Sequence, residues 1–128
     1  MNYKFYDPNV VKGRNKVSSI ESMKDVDIVS INCGLNDTSR NLITYDTFKD
    51  FKRGVVVVNT SRGEVVDERY ISLLIKSREI FYSADVIVDE QNISTPHHSE
   101  LYKLYESEKY DNLTLTPHVA GVTTDSQE

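Results

Sequence analysis

Short apolar runs rich in β-branched and aromatic residues alternate along the chain with segments whose apolar positions recur at helical spacing. Tyr3–Tyr6 reads as a strand that stops at the turn cluster Asp7-Pro8-Asn9, because a proline biases its predecessor away from helix. Ser19 opens a short helix over 20–25, and Asp27–Cys33 reads as a buried strand running into Gly34. Thr44 is placed to cap a helix through Phe51, with Lys49, Lys52 and Arg53 well disposed at its C-terminal end before Gly54. Val55–Val58 is four valines in succession. A strand covered by helices on both faces loses its in-and-out alternation, so this run predicts a parallel strand buried on both sides. Beyond Asp67, the spacing of Tyr70, Ile71, Leu73, Leu74 and Ile75 predicts a helix to about Ser77. A strand over Phe81–Val88, a helix over 99–107 and a last strand over Leu113–Thr116 complete the order.

Alternating strands and helices with right-handed crossovers make an α/β fold, and a Rossmann-like doubly wound parallel sheet is the leading architecture. The 128 residues allow one domain, and 38% hydrophobic residues are enough for one core. Fifteen basic against twenty acidic residues leave a net charge of −5, with the basic residues scattered among acids. Nucleic acid is therefore not an expected partner. No apolar run approaches a membrane span and no export signal is visible, so neither membrane nor secretion is expected. Cys33 stands alone, which fits a reducing, cytoplasmic compartment, and it reads as a small buried hydrophobe. His97-His98 reads as a helix-entry loop, since neighbouring histidines diverge and no third ligand follows at metal spacing.

In open parallel sheets ligands gather beyond the carboxyl ends of the strands. The residues following the predicted strands are Asp7, Cys33-Gly34, Asn59 to Gly63, Asp85 to Glu90, and Thr116 to His118. An arginine, a carboxylate pair and a histidine arriving at one rim on three loops can bind an anion, tune a base and move a proton.

Three segments carry a resemblance. Val55 to Glu68, reading VVVVNTSRGEVVDE, resembles the strand-loop-helix signature of the D-isomer-specific 2-hydroxyacid dehydrogenases. Ala84-Asp85-Val86 with Asp89-Glu90 is similar to that family's acidic motif, and Thr116-Pro117-His118-Val119-Ala120-Gly121 to its histidine motif. Arg62, Glu90 and His118 follow one another at intervals of 28 positions, in the family's order. The resemblance implies hydride exchange between a nicotinamide cofactor, NAD, and C2 of a small 2-hydroxy or 2-oxo acid. It gives His118 the acid/base role, Glu90 the support of the imidazole, and Arg62 the grip on the substrate carboxylate, for which a planar, permanently charged fork is well suited.

The same resemblance assigns cofactor contacts. Asp7 matches the acid that receives the adenosine ribose hydroxyls, where a carboxylate repels a 2′-phosphate and so favours NAD over NADP. Thr60, Ser61 and Arg62 match the loop beside the nicotinamide, Asp85 the acceptor of its carboxamide, and Cys33 and Gly34 the adenosine side. His118 and Gly121 complete the set. The family commonly has proline at Gly34 and histidine at Asn32. The five glycines stand apart at 13, 34, 54, 63 and 121, so the chain has no Gly-x-Gly-x-x-Gly turn and no strand before it. Residues 1–128 are accordingly expected to be part of an NAD-binding domain without the substrate domain, inactive alone and a homodimer when complete. In the 3-2-1-4-5-6 order the absent strand lies between Tyr3–Tyr6 and Asp27–Cys33. A redox-sensing or corepressor-type NAD-binding module and a vestigial α/β fragment are the other readings.

Overall fold

The computed structural model describes residues 2–88, Glu90 and residues 99–118. Four parallel strands form one sheet in the order β1 (Ile28–Ile31), β2 (Val55–Asn59), β3 (Ile80–Ala84) and β4 (Leu113–Leu115). The helices between them are α1 (Tyr45–Phe48), α2 (Glu68–Lys76) and α3 (Glu100–Glu106). Single 3-10 turns occupy Ile20–Met23 and Gly63–Val65. The parallel α/β order expected from the alternation is the order observed. Among the described residues no helix is long and apolar enough to cross a membrane.

The register decides where the loops emerge. Ile31 pairs with Asn59, Asn59 with Ala84, and Ala84 with Leu115, so all four strands end at one level. Paired positions in neighbouring strands point to the same side of a sheet, and successive positions to opposite sides. One face therefore carries Val29, Ile31, Val55, Val57, Ile80, Tyr82, Ala84 and Leu113 in rows. Val55 and Val57 are fully buried there with Ile71, Ile75 and Leu101 of α2 and α3.

The opposite face is different. Val56 and Val58 are only half-buried, and their row continues through Ile28, 64% exposed, and Phe81, 54% exposed. The expected parallel strand is present, and its burial on both sides is complete for one row and partial for the other. The run records that both rows are apolar, and the depth of cover over each row is decided elsewhere in the chain.

Other boundaries shift for local reasons. Tyr3–Tyr6 is not a strand of the sheet: Phe5 makes one isolated parallel bridge to Lys16. Its aromatic residues favour extended backbone, and a ladder also needs an adjacent strand in register. The strand expected over Phe81–Val88 starts at Ile80 and ends at Ala84, beyond which the chain turns away. The helix expected through Phe51 ends at Phe48; it begins at Thr44 with a reciprocal capping box to Thr47, and the Phe48 and Phe51 rings stack 4.0 Å apart.

The other two helices are capped as their sequences suggest. Asp67 Oδ1 accepts the amides of Arg69 at 3.1 Å and Tyr70 at 3.4 Å, and Ser99 Oγ accepts that of Tyr102 at 3.2 Å. Past the C-terminal end of α2, Arg78 adopts φ 58°, the left-handed geometry that closes many helices. Asn112 Nδ2 donates to the carbonyls of Ile75 at 3.0 Å and Ile80 at 2.9 Å, joining the end of α2 to the start of β3. Asp67→Ala removes both cap acceptors, and a loss of about 1 kcal/mol in urea-unfolding free energy is expected.

Candidate functional site

Because the strands end level, Asn32, Thr60, Asp85 and Thr116 begin a single rim. Asn59, the last residue of β2, is fully buried and uses its whole hydrogen-bonding capacity to shape the next loop. Its Oδ1 accepts the Ser61 amide and hydroxyl, each at 3.1 Å; its Nδ2 donates to the Arg62 carbonyl at 3.0 Å and the Tyr82 hydroxyl at 3.3 Å. Burial pushes the Tyr82 hydroxyl far up from its ordinary range, so it stays neutral beside Asn59. Ser61 is buried with its hydroxyl turned inward, while Thr60 and Arg62 are exposed. The Arg62 guanidinium lies on its own loop, Nη1 donating to the Ser61 carbonyl at 2.7 Å.

Gly63 brings two loops into direct contact. A Cβ there would overlap the Ile87 carbonyl carbon and the Val88 nitrogen, so only glycine lets the Arg62 loop press against the backbone after β3. Asp85 is buried at the start of that second loop, its Oδ1 accepting the Thr116 hydroxyl at 2.5 Å. The Asp85 amide bonds to the Asn59 carbonyl and the Thr116 amide to the Ala84 carbonyl, both at 3.0 Å, which carries the ladder one step into the loops.

The structure brings Glu90 and His118 together. Glu90 Oε1 lies 2.5 Å from His118 Nδ1, and Oε2 accepts the Ile87 amide at 3.3 Å. Glu90 is half-buried and His118 about half exposed, with His118 in left-handed backbone at φ 59°. Nδ1 facing a carboxylate places its proton on that side and directs Nε2 the other way. Arg62 is linked to this pair only indirectly, its loop meeting the Ile87–Val88 backbone at Gly63.

Asp7, Cys33 and Gly34 stand apart from it. They line a cleft of about 1400 Å³ bounded by residues 2–9 on one side and β1 on the other. Asp7 Oδ1 accepts the Asn9 amide at 2.8 Å within its own turn. Cys33 is half-buried against the core. Gly121, His97 and His98 lie outside the described residues.

Two further polar residues shape the site without having been singled out as candidates. Asn59 was visible only as part of a motif. Glu68, the first residue of α2, is 7% exposed, with Oε2 accepting the Val88 amide at 2.5 Å and Oε1 the Ser99 hydroxyl at 2.7 Å. The amides of Leu101 and Glu100 also bond to it. A glutamate at the first position of a helix ordinarily signals only a favourable end charge, so the sequence held no sign of its burial.

Comparison with known proteins gives a consistent result. The sequence profile of the NAD binding domain of D-isomer specific 2-hydroxyacid dehydrogenases matches residues 1–120. A Haemophilus influenzae protein of the 2-hydroxyacid dehydrogenase type is 32% identical over 101 residues, covering 78% of this chain and 30% of that protein. Glyoxylate reductase 1 of Saccharomyces cerevisiae is 41% identical over 75 residues, 58% of this chain and 21% of the yeast protein. The structure of D-lactate dehydrogenase from Aquifex aeolicus, complexed with NAD and lactic acid, superposes with a TM-score of 0.77 at 25% identity. That superposition covers 95% of this chain and 40% of the Aquifex chain. The chain thus spans well under half the length of these relatives.

Two outcomes follow from the geometry. Gly63→Ala forces the two loops apart and is expected to lower stability by roughly 1–3 kcal/mol in urea unfolding, with the loss concentrated in the 86–88 backbone by hydrogen exchange. Burial also holds the Glu68 carboxyl above its ordinary 4.5, hydrogen bonds offsetting only part of that rise. The folded protein then keeps a proton that the unfolded chain has released. The resulting stabilisation is complete below about 4.5 and is lost as pH rises through the raised folded value. Glu68→Gln has no such proton, so its urea midpoint relative to wild type is expected to improve as pH rises through that window.

Proposed function

Because the chain belongs to the D-isomer-specific 2-hydroxyacid dehydrogenases, through the NAD-binding domain of that family, we propose that Arg62, Glu90 and His118 serve hydride exchange between NAD and C2 of a 2-hydroxy or 2-oxo acid. The observation that carries this reading is the contact of Glu90 Oε1 with His118 Nδ1, which joins two residues 28 positions apart on loops from adjacent strands. NAD, when bound, supplies the hydride acceptor or donor.

The chain's own residues do the rest. Glu90 holds the Nδ1 proton and leaves Nε2 to give a proton to the C2 oxygen during reduction and take it back during oxidation. Arg62 leaves the Ser61 carbonyl to pair with the substrate carboxylate through two parallel N–H donors. Asp85, bonded through Oδ1 to the Thr116 hydroxyl at the start of its loop, is the carboxylate that meets the cofactor carboxamide, and the exposed Thr60 lies on the same loop as Arg62. Ser61 contributes through its bonds to Asn59, which set the loop.

At the other end of the site the fit is partial. Asp7, Cys33 and Gly34 line one cleft, as an adenosine side requires, and Asp7 retains one carboxylate oxygen beyond its turn bond for a ribose hydroxyl. The pyrophosphate normally rests on a glycine-rich turn, and this sequence has none. We therefore assign the chain a weak or negligible affinity for NAD and no turnover by itself. The whole protein in this reading is a cytoplasmic homodimer, a location to which a single unpaired cysteine is suited.

Calorimetric titration of the isolated chain with NAD is expected to give no saturable binding below about 1 mM, a standard free energy of about −4 kcal/mol. In a chimera that supplies the upstream glycine-rich turn and substrate domain of a relative, NADH-dependent reduction of a 2-oxo acid is expected. Arg62→Lys and His118→Ala should each then lower kcat/KM by about 100-fold or more. Turnover retained in both variants overturns the assignment.

A further inference from the structure

The buried carboxylate of Glu68 is costly. It is 7% exposed, and its partners are a hydroxyl and backbone amides, none of them cationic. A buried carboxylate without a counter-charge persists where its acceptor capacity is fully used, and here every partner is a donor. Ser99 Oγ donates to Oε1 at 2.7 Å and the Val88 amide to Oε2 at 2.5 Å. One side chain on α2 thereby ties down both the loop after β3 and the start of α3.

The bond to Val88 has a consequence beyond packing. The Ile87–Val88 backbone is held on one side by Gly63, against which its peptide atoms press, and by the Glu68 carboxylate at the Val88 amide. The preceding amide, that of Ile87, donates to Glu90 Oε2 at 3.3 Å. Glu90 Oε1 in turn meets His118 Nδ1 at 2.5 Å. Glu68, Val88, Ile87, Glu90 and His118 form an unbroken series of contacts from the start of α2 to the exposed imidazole.

We propose that Glu68 is a positioning residue: by fixing the Ile87–Val88 backbone it aims the Glu90 carboxylate at His118 Nδ1 and so sets the histidine tautomer. The proposal rests on the Glu90–His118 pairing and touches neither substrate nor cofactor. It explains why an acceptor-only group sits at this position. A leucine of similar size would bury without the desolvation cost and would leave the Val88 amide unsatisfied.

The test uses the 128-residue chain itself and needs no turnover. Long-range proton–nitrogen NMR of ¹⁵N-histidine-labelled protein, at a pH where the imidazole is neutral, reads which ring nitrogen of His118 carries the proton; the Glu90→Gln variant assigns the signal. In wild type the Nδ1–H form is expected to predominate. Glu68→Gln should preserve it, since the amide oxygen accepts from Val88 and the amide nitrogen donates to Ser99. Glu68→Ala, folded by dispersion of its amide spectrum, should lose that predominance, with Val88 amide exchange faster by about 10-fold or more. Where Glu68→Ala does not fold, Glu68→Asp decides, because it keeps the charge but is one methylene too short for Val88. A folded Ala or Asp variant that retains the Nδ1–H form overturns the proposal alone. A wild-type His118 without that form overturns the pairing and the proposal with it.

Discussion

The level ending of the four strands is the constraint on which the rest of the molecule depends. Ile31, Asn59, Ala84 and Leu115 are consecutive partners across the sheet, so each following loop starts from the same line. Parallel strands make this possible because every one of them ends at the same edge, and the crossover helices return the chain to the other. The backbone bonds from Asp85 to Asn59 and from Thr116 to Ala84 extend the line into the loops. Residues far apart in sequence are then close without any loop having to be long.

Once the loops share a line, buried polar side chains decide their shapes. Asn59, Glu68, Asp85 and Asn112 are all nearly inaccessible, and each bonds to backbone or hydroxyl groups of a neighbouring segment. Each such group is worth little while paired and costs about 1–3 kcal/mol when its partner is removed. That asymmetry makes them effective at fixing geometry: the alternative loop conformations are penalised more than the observed one is favoured. Gly63 acts by the opposite means, through a missing side chain that lets two backbones meet.

Much of this was legible because it is local. Asp67 followed by apolar residues at helical spacing marked α2, the helix expected over 99–107 is α3, and the valine run marked β2, each within one turn or two of its true boundary. The order of Arg62, Glu90 and His118 was legible in the motifs, and the structure pairs the last two. What escaped were relations between segments. Tyr3–Tyr6 has the composition of a strand, yet strand is a property of a pair and among the described residues its pairing is one bridge to Lys16. The valines carry the same signal at Val57 as at Val58, although helices cover one row far better than the other. Glu68 gave no hint of burial, since the groups that donate to it come from Val88 and Ser99, 20 and 31 residues away.

The outer edge of β1 has a meaning for the molecule in solution. Among the described residues its peptide groups face the cleft without a ladder partner, beside Ile28 at 64% exposure. An edge of that kind is a template on which another extended chain can grow, and it drives self-association as concentration rises. Asp25 and Asp27 stand immediately before the strand, both exposed, and Asp27 is paired with Lys52. Charges in that position act as gatekeepers, so Asp25 and Asp27 guard an edge able to recruit a neighbour.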